Sequence, residues 1–259
     1  MNRNIKLLIA AHRPSRFPTD EVYLPVHVGA AGKPTLPGCV RDDTGDNISA
    51  KNANYCELTG LYWAWKNLDA DYIGLAHYRR HFSTGKRFGD KWERILTGAE
   101  LERQLADCDI LLPRSRNYWI VTNYSQYAHA HHAVDLDTAR AVILERCPDY
   151  ASAFDAVMKR TTGHRFNMFV MKRGKFDACC AWLFDILFEV EKRLDISAYS
   201  ANDARVFGFL SERLLDVWLE RNGYAYRELP WVFLERENWL RKGSAFVMRK
   251  LRAKKGGRA

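Results

Sequence analysis

The chain has no run of the ~18 apolar residues that a membrane-spanning helix needs. Its most apolar long stretch, Ala178 to Val190, is broken by Asp185. The N-terminal run after Met1-Asn2-Arg3 is short for a signal peptide, so residues 5–11 read as the first strand of a cytosolic enzyme. C-x-x-C spacing is also missing. The six cysteines (Cys39, Cys56, Cys108, Cys147, Cys179, Cys180) lie in strand-like and helix-like segments, which argues for reduced, mostly buried thiols rather than a disulfide scaffold. Repeats and low-complexity segments are absent, and no linker is evident before about residue 235. What remains is 259 residues, 47% of them apolar, enough for one large domain or two small ones burying roughly 70–75% of the unfolded surface.

The excess of positive charge, +9 overall, is concentrated at one end. Residues 235–259 hold nine basic and two acidic side chains, a balance of +7, which leaves +2 for residues 1–234. Trp239, Leu240, Phe246, Val247, Met248 and Leu251 are interleaved with those cations. Apolar anchors among cations suit the surface of an anionic membrane; nucleic-acid binding and a solvated tail are the competing readings. The expected organisation is a body over 1–234 and a basic, aromatic-containing tail over 235–259.

In the body, Tyr72 to Ala76 is an apolar run that reads as a buried strand and runs straight into His77-Tyr78-Arg79-Arg80-His81. In an open α/β sheet, ligands lie beyond the carboxyl ends of the strands. Two arginines at such an end point to phosphate or carboxylate, which the guanidinium fork fits bidentately; the bland alternative is a solvated surface pair. Ile5 to Ala11 likewise reads as a central parallel strand, with the polar exit His12-Arg13-Pro14. Val22 to Val28 is a second extended piece, leading to Gly29 and Gly32.

The densest polar cluster is Arg41 to Ser49, with three carboxylates in five residues at Asp42, Asp43 and Asp46. They need a cation, hydrogen-bond donors or full solvation. A divalent metal, magnesium or manganese, is the sharp reading of Asp42–Asp46; pairing with the arginines of the His77–His81 segment, or capping of the following helix by Asp46, Asn47 or Ser49, is the other. Ser49 to Leu68 reads as one helix with an apolar face at Tyr55, Leu58, Tyr62 and Trp65, and with Glu57 inside it as a buttress for an arginine. Further helices are expected at about 99–107, 135–146, 150–160, 176–194 and 204–219, with strands at 110–113 and 166–171. Tyr118 to His132 reads as a substrate-facing loop; its His-x-His-His pattern lacks the partners of a zinc site. Glu212, amid apolar neighbours in the last helix, is either bridged to an arginine or a base of raised pKa.

Several motifs belong together: the strand ending in Ala-His-Arg-Pro, Tyr23 to Ala30, Asp42 to Ser49, Tyr55-Cys56-Glu57-Leu58-Thr59, Tyr62 to Asn67, His77-Tyr78-Arg79-Arg80, Asn167-Met168-Phe169 and Arg205 to Leu214. This set, spanning about residues 5–230, resembles a bacterial family long labelled a domain of unknown function. That family is found with capsule and exopolysaccharide genes and grouped with glycosyltransferases that include β-1,3-galactofuranosyltransferases. The resemblance implies a single-domain α/β fold, its mostly parallel sheet flanked by helices, of the Rossmann-like type A glycosyltransferase kind. It implies a UDP-sugar donor, an inverting hexosyl transfer, a polyprenyl-linked glycan acceptor, and a cytoplasmic enzyme at the inner face of the membrane, with no nucleic-acid partner.

Such folds usually carry an Asp-x-Asp metal motif where His77 to Arg80 stands here. Arg79 and Arg80 are therefore expected to stabilise the leaving diphosphate in place of a metal. Glu212 is the first choice for catalytic base and Asp46 the second. His12 and Arg13 are expected beside the nucleotide, Asp42 and Asp43 at ribose, sugar or metal. His77, Tyr78 and Asn167 complete the donor-binding set. The rival class is a non-catalytic protein that binds nucleic acid or phospholipid headgroups through one electrostatic footprint.

Overall fold

The computed structural model describes residues 3–235. The 235–259 tail expected from the sequence thus lies outside the described residues, apart from Glu235. The strands are β1 (Ile5–Ala11), β2 (Tyr23–His27), β3 (Val40–Arg41), β4 (Tyr72–His77), β5 (Arg80–Phe82), β6 (Ile110–Pro113), β7 (Arg116–Asn117), β8 (Thr162–Gly163), β9 (Phe169–Lys172), β10 (Arg227–Leu229) and β11 (Trp231–Phe233). The helices are α1 (Asn52–Tyr55), α2 (Leu58–Asn67), α3 (Gly98–Gln104), α4 (Asn123–Ala130), α5 (Ala133–Arg146), α6 (Ala151–Lys159), α7 (Arg173–Arg193) and α8 (Val206–Asn222).

The main sheet runs β10-β6-β9-β4-β1-β2-β3. Every strand on that path points the same way except β9, which is antiparallel to both β4 and β6. The α/β class with a mostly parallel sheet and flanking helices is therefore the fold. β1 and β4 read as continuous apolar runs because both of their faces are covered. Leu8, Ala10, Ile73 and Leu75 pack into the core shared with α2 and α5 to α8. Leu7, Ile9, Tyr72 and Ala76 pack into the core shared with α3 and Phe82. Each fully buried leucine here contributes about 2 kcal/mol. Gly74 lies where these layers close, since a Cβ on it would come within 2.5 Å of the Phe169 carbonyl and 2.7 Å of the Leu7 side chain. β4 then turns back through β5, which pairs with β11, so the chain's later end lies against the His77–Phe82 stretch.

Three expectations change. The helix expected over Ser49–Leu68 is divided: a 3-10 turn over Ser49–Lys51 and α1 end at Cys56, whose φ of 52° no helix can hold, and α2 begins at Leu58. The loop expected at Tyr118–His132 contains α4, capped by Thr122 Oγ1 accepting from Ser125 N–H and held by the buried Tyr127. Phe166 and Asn167, expected to open a strand, have φ of 77° and 52°, and pairing starts only at Phe169. All six cysteines are free; Cys179 and Cys180 are buried and the other four only partly covered.

Candidate active site

β1, β2 and β4 end on one side of the sheet, and a cleft of about 430 Å³ opens beyond them. His12 and His77 enter it from the exits of β1 and β4, Asn52 from α1, Glu57 from the α1–α2 break, Arg79 from the β4–β5 turn, and Arg205 from the start of α8. A cavity of similar volume, about 410 Å³, lies at the opposite end beside Arg3, Lys6, Asp20 and Glu102. Connections at the carboxyl ends of parallel strands are the ones that form ligand crevices, so the first cleft is the candidate.

The Tyr78 ring is the centre of the cationic wall. The guanidinium carbons of Arg13 and Arg79 lie 5.1 Å and 5.2 Å from its centroid, with His12 edge-on at 5.3 Å and His77 at 4.5 Å. Burial, then the charges of Arg79 and Arg80, pushes His77 down to about 3; burial and then Arg13 and Arg79 lower His12. Both imidazoles are therefore neutral hydrogen-bonding groups near pH 7, and the positive charge belongs to the arginines. Glu235 pairs with Arg13 and reaches to 3.7 Å from Arg79, so a carboxylate occupies the place an anion would take. Arg80 has no ion pair among the described residues and stacks on Phe166 and Phe233 at 4.3 Å and 5.1 Å. The Nε atoms of Arg79 and Arg80 are buried without a partner. Unpaired buried donors at a strand end are costly unless a ligand uses them.

Opposite this wall stand two carboxylates. Glu57 accepts from Asn167 Nδ2 at 2.8 Å and lines the cleft. Burial raises its pKa against that hydrogen bond, and the negative charge of Glu212 adds to the rise. Glu212 is not at the cleft surface: its oxygens accept from Phe166 N–H and Arg213 Nη1, both at 2.9 Å. Of the two readings of Glu212, the bridge to arginine is the one observed. Left-handed backbone at Cys56, Phe166 and Asn167 holds this wall in place, and non-glycine strain of that kind gathers at functional sites.

The aspartates of the acidic loop are brought together by sequence, not by a common site. Asp42 is fully buried and accepts from Gly29 N–H (2.8 Å), Ala30 N–H (2.9 Å) and the Ser49 hydroxyl (2.5 Å). It fixes the Gly29 turn, where φ is 66° and a Cβ would collide with Asn52 at 2.4 Å. Asp43 takes the bidentate fork of Arg41, two residues away, at 2.9 Å and 2.6 Å, and not an arginine of the His77–His81 segment as expected. Asp46 is exposed and accepts from Tyr62 OH at 3.2 Å. An environment of donors and guanidinium does not suit a cation at Asp42–Asp46. In the cleft, Glu57 is a single carboxylate facing Arg79 and Arg205, which does not suit one either. Among the described residues no three His, Cys, Asp or Glu side chains are grouped to hold a metal ion. The histidines after α4 also have structural roles: His131 stacks on Phe209 at 4.1 Å, and His132 on Tyr199 at 4.1 Å.

The structure thus gathers His12, Arg13, His77, Tyr78, Arg79 and Arg80, places Asn167 across from them, and leaves Asp42, Asp43 and Asp46 outside. The sequence reading gave Glu57 only as a buttress for an arginine at the exit of β4, not as a candidate base, and did not single out Asn52 or Arg205. The break at Cys56 that exposes Glu57 has no glycine or proline to announce it.

Fold and cleft together define an α/β protein with a cleft, lined by arginine and histidine, at the carboxyl ends of its parallel strands. The chain belongs to a family described as a domain of unknown function, DUF4422, whose profile matches residues 6–223. No curated protein matches it. Its structure is similar to the apo structure of WbbM, a bifunctional glycosyltransferase, with a TM-score of 0.84 and 33% identity over 90% of this chain. The chain spans 46% of that protein's length. The fold is accordingly of the type A glycosyltransferase kind. No helix among the described residues is long and apolar enough to cross a membrane.

Proposed function

We propose that this chain is a glycosyltransferase that moves a hexose, galactofuranose or galactose, from a UDP-sugar to a polyprenyl-linked glycan in capsule, O-antigen or exopolysaccharide synthesis, at the cytoplasmic face of the membrane. The observation that carries the reading is the cleft itself. Unsatisfied guanidiniums and a raised-pKa carboxylate face one another across the end of a glycosyltransferase-like sheet. Arg13, Arg79 and Arg80 receive the diphosphate, which displaces the Glu235 carboxylate, and the neutral His12 and His77 hydrogen-bond the donor. The acceptor hydroxyl oxygen attacks the anomeric carbon from the side opposite the diphosphate and inverts it. Its proton passes to Glu57, the bond from the anomeric carbon to the phosphate oxygen breaks, and the electron pair leaves on the diphosphate, whose growing charge the arginines stabilise. Glu212 positions this wall through the Phe166 amide, and its negative charge keeps the Glu57 carboxyl basic enough to take the proton. No metal enters the scheme.

The test is a turnover screen with the full chain, UDP-sugars in pyranose and furanose forms and glycan acceptors, following release of nucleoside diphosphate with and without EDTA. Saturable turnover unaffected by EDTA is expected. Turnover lost in EDTA overturns the metal-free scheme. Binding of polyanions with no turnover on any donor overturns the enzyme reading in favour of a polyanion-binding protein.

A further inference from the structure

Among the described residues, the three most exposed large apolar side chains are Ile120 (93%), Phe88 (89%) and Trp119 (80%). They stand in two segments, Ser83–Lys91 between β5 and the 3-10 turn at Trp92, and Arg114–Val121, which runs from β6 through β7 toward α4. Sequence separates these loops by some thirty residues, but the fold joins them at one edge. Ser83 N–H donates to the Pro230 carbonyl at 2.8 Å, and Arg114 N–H donates to the adjoining Leu229 carbonyl at 2.9 Å. The two loops therefore leave the body on either side of the β10–β11 connection.

Their tips are not collapsed onto the protein. Trp119 has φ of 63°, a left-handed conformation that a bulky residue avoids, and Asn117 Oδ1 holds it by accepting from Trp119 N–H at 2.7 Å. A hydrogen bond thus keeps the indole pointed into solvent. Lys86 and Arg87 beside Phe88, and Arg114 at the root of the second segment, are exposed and form no ion pair among the described residues; Asp90 is the exposed acid of the first segment. At the root of the first loop, Lys91 Nζ donates to the Phe233 carbonyl at 2.8 Å and the Glu235 carbonyl at 3.3 Å. Glu235, the last described residue, thus lies at the root of this segment.

We propose that the edge docks on an anionic bilayer, with Phe88, Trp119 and Ile120 entering the boundary between headgroups and acyl chains and Lys86, Arg87 and Arg114 pairing with lipid phosphates. Apolar tips on separate loops present no continuous face for a protein partner, whereas a fluid surface admits each tip independently. The cations of the same two segments match the sign of that surface. Arg79, which lines the cleft, directly precedes β5, so docking at this edge brings the cleft near acceptors carried on lipid, a consequence that rests on the transferase reading. The surface stands on its own observations and does not depend on which sugar is transferred.

Vesicle sedimentation of the full chain tests this, with phosphatidylcholine vesicles set against vesicles containing about 30% phosphatidylglycerol. Binding to the anionic vesicles that weakens with salt is expected. The triple variant Phe88→Ser/Trp119→Ser/Ile120→Ser should raise the apparent Kd by about tenfold or more, with the tail still present. Lys86→Glu/Arg87→Glu should do so as well. Thermal midpoints should not move, because all these side chains are exposed. Wild-type protein that ignores anionic vesicles overturns the proposal. So does a triple variant that binds as wild type does, including the case where only the charge reversal abolishes binding and the edge is a general polyanion contact. Turnover on a water-soluble acceptor, read in parallel, should be equal in wild type and triple variant. Failure of docking and failure of the transferase reading are thereby separate results.

Discussion

The acidic loop at Arg41–Ser49 and the basic stretch at His77–His81 are the two densest polar clusters in the body, and they ended in opposite states. Asp42 is buried with three donors around it, and Asp43 holds an arginine fork two residues away. Asp42 and Asp43 are thus satisfied within the fold, and Asp46 alone of the three is exposed. The basic stretch is not satisfied: Arg80 has no ion pair among the described residues, and the Nε atoms of both arginines are buried without a partner. Folding normally removes such groups, since an unpaired buried donor costs about 1–3 kcal/mol. A polar cluster that stays unsatisfied beside a cleft is therefore evidence of a ligand, whereas one that is satisfied is evidence of structure.

Variants on the two sides should separate function from stability, and the largest effect is expected at the base. Glu57→Gln keeps the hydrogen bond with Asn167 within reach but cannot take a proton, and turnover should fall by about 10²- to 10⁴-fold while donor-induced thermal stabilisation persists. Because the carboxyl is raised, the wild-type rate should drop with falling pH through a value above the ordinary carboxylate range. A Glu57→Gln enzyme with undiminished turnover would return the role to Glu212 or Asp46.

Arg79→Ala comes next, with a loss of about 10²- to 10³-fold in turnover. Its side chain is about a third exposed, so the unfolding midpoint in urea should barely change. If turnover survives, the diphosphate does not use this arginine. Asp42→Ala is the mirror image. It strands two buried N–H groups and a hydroxyl, and should cost about 2–4 kcal/mol in urea unfolding with turnover per folded molecule close to wild type. An unaltered stability together with lost turnover would reverse the assignment of the two clusters.

The smallest effect is expected at a third polar cluster, away from the cleft. His164 is buried between Asp216 (2.5 Å from Nδ1) and Glu228 (3.0 Å from Nε2). Burial by itself lowers its pKa, but the hydrogen bond and charge of Asp216, with Glu228 behind them, overrule it and raise it. A raised histidine contributes stability that is complete below its unfolded value of ~6.5 and is lost as pH rises through the folded value. Wild type should thus lose stability as pH rises above ~6.5, and His164→Gln should flatten that slope. Equal slopes would mean that His164 is neutral in the fold.

The sheet was readable because its signals are local. Ile5–Ala11 and Tyr72–Ala76 are apolar throughout, and runs of that kind with polar exits mean parallel strands covered on both faces. The place of His12, His77 and Arg79 was readable for the same reason, since residues that follow such a strand emerge at the crevice. The three-residue strands β10 and β11 were not read, because too few residues alternate to give a period. Glu57 was taken as a residue inside a helix, because nothing in Tyr55-Cys56-Glu57-Leu58 marks a break. Cys56 is instead packed against α8, where Arg205 Nε donates to its Sγ at 3.1 Å and Gly208 leaves room for its side chain.

By itself, then, the sequence determined the class of fold, the carboxyl-end location of the arginines and histidines, and the concentration of positive charge beyond residue 234. Each of these depends on hydrophobic pattern or charge along a continuous stretch. Only the tertiary structure decided which carboxylate faces the cleft, which aspartates are consumed by backbone amides, and that Phe88 and Trp119 share an edge. Those facts depend on what lies across from a residue after the chain has packed, and burial and hydrogen-bond satisfaction are properties of that packing rather than of neighbours in sequence.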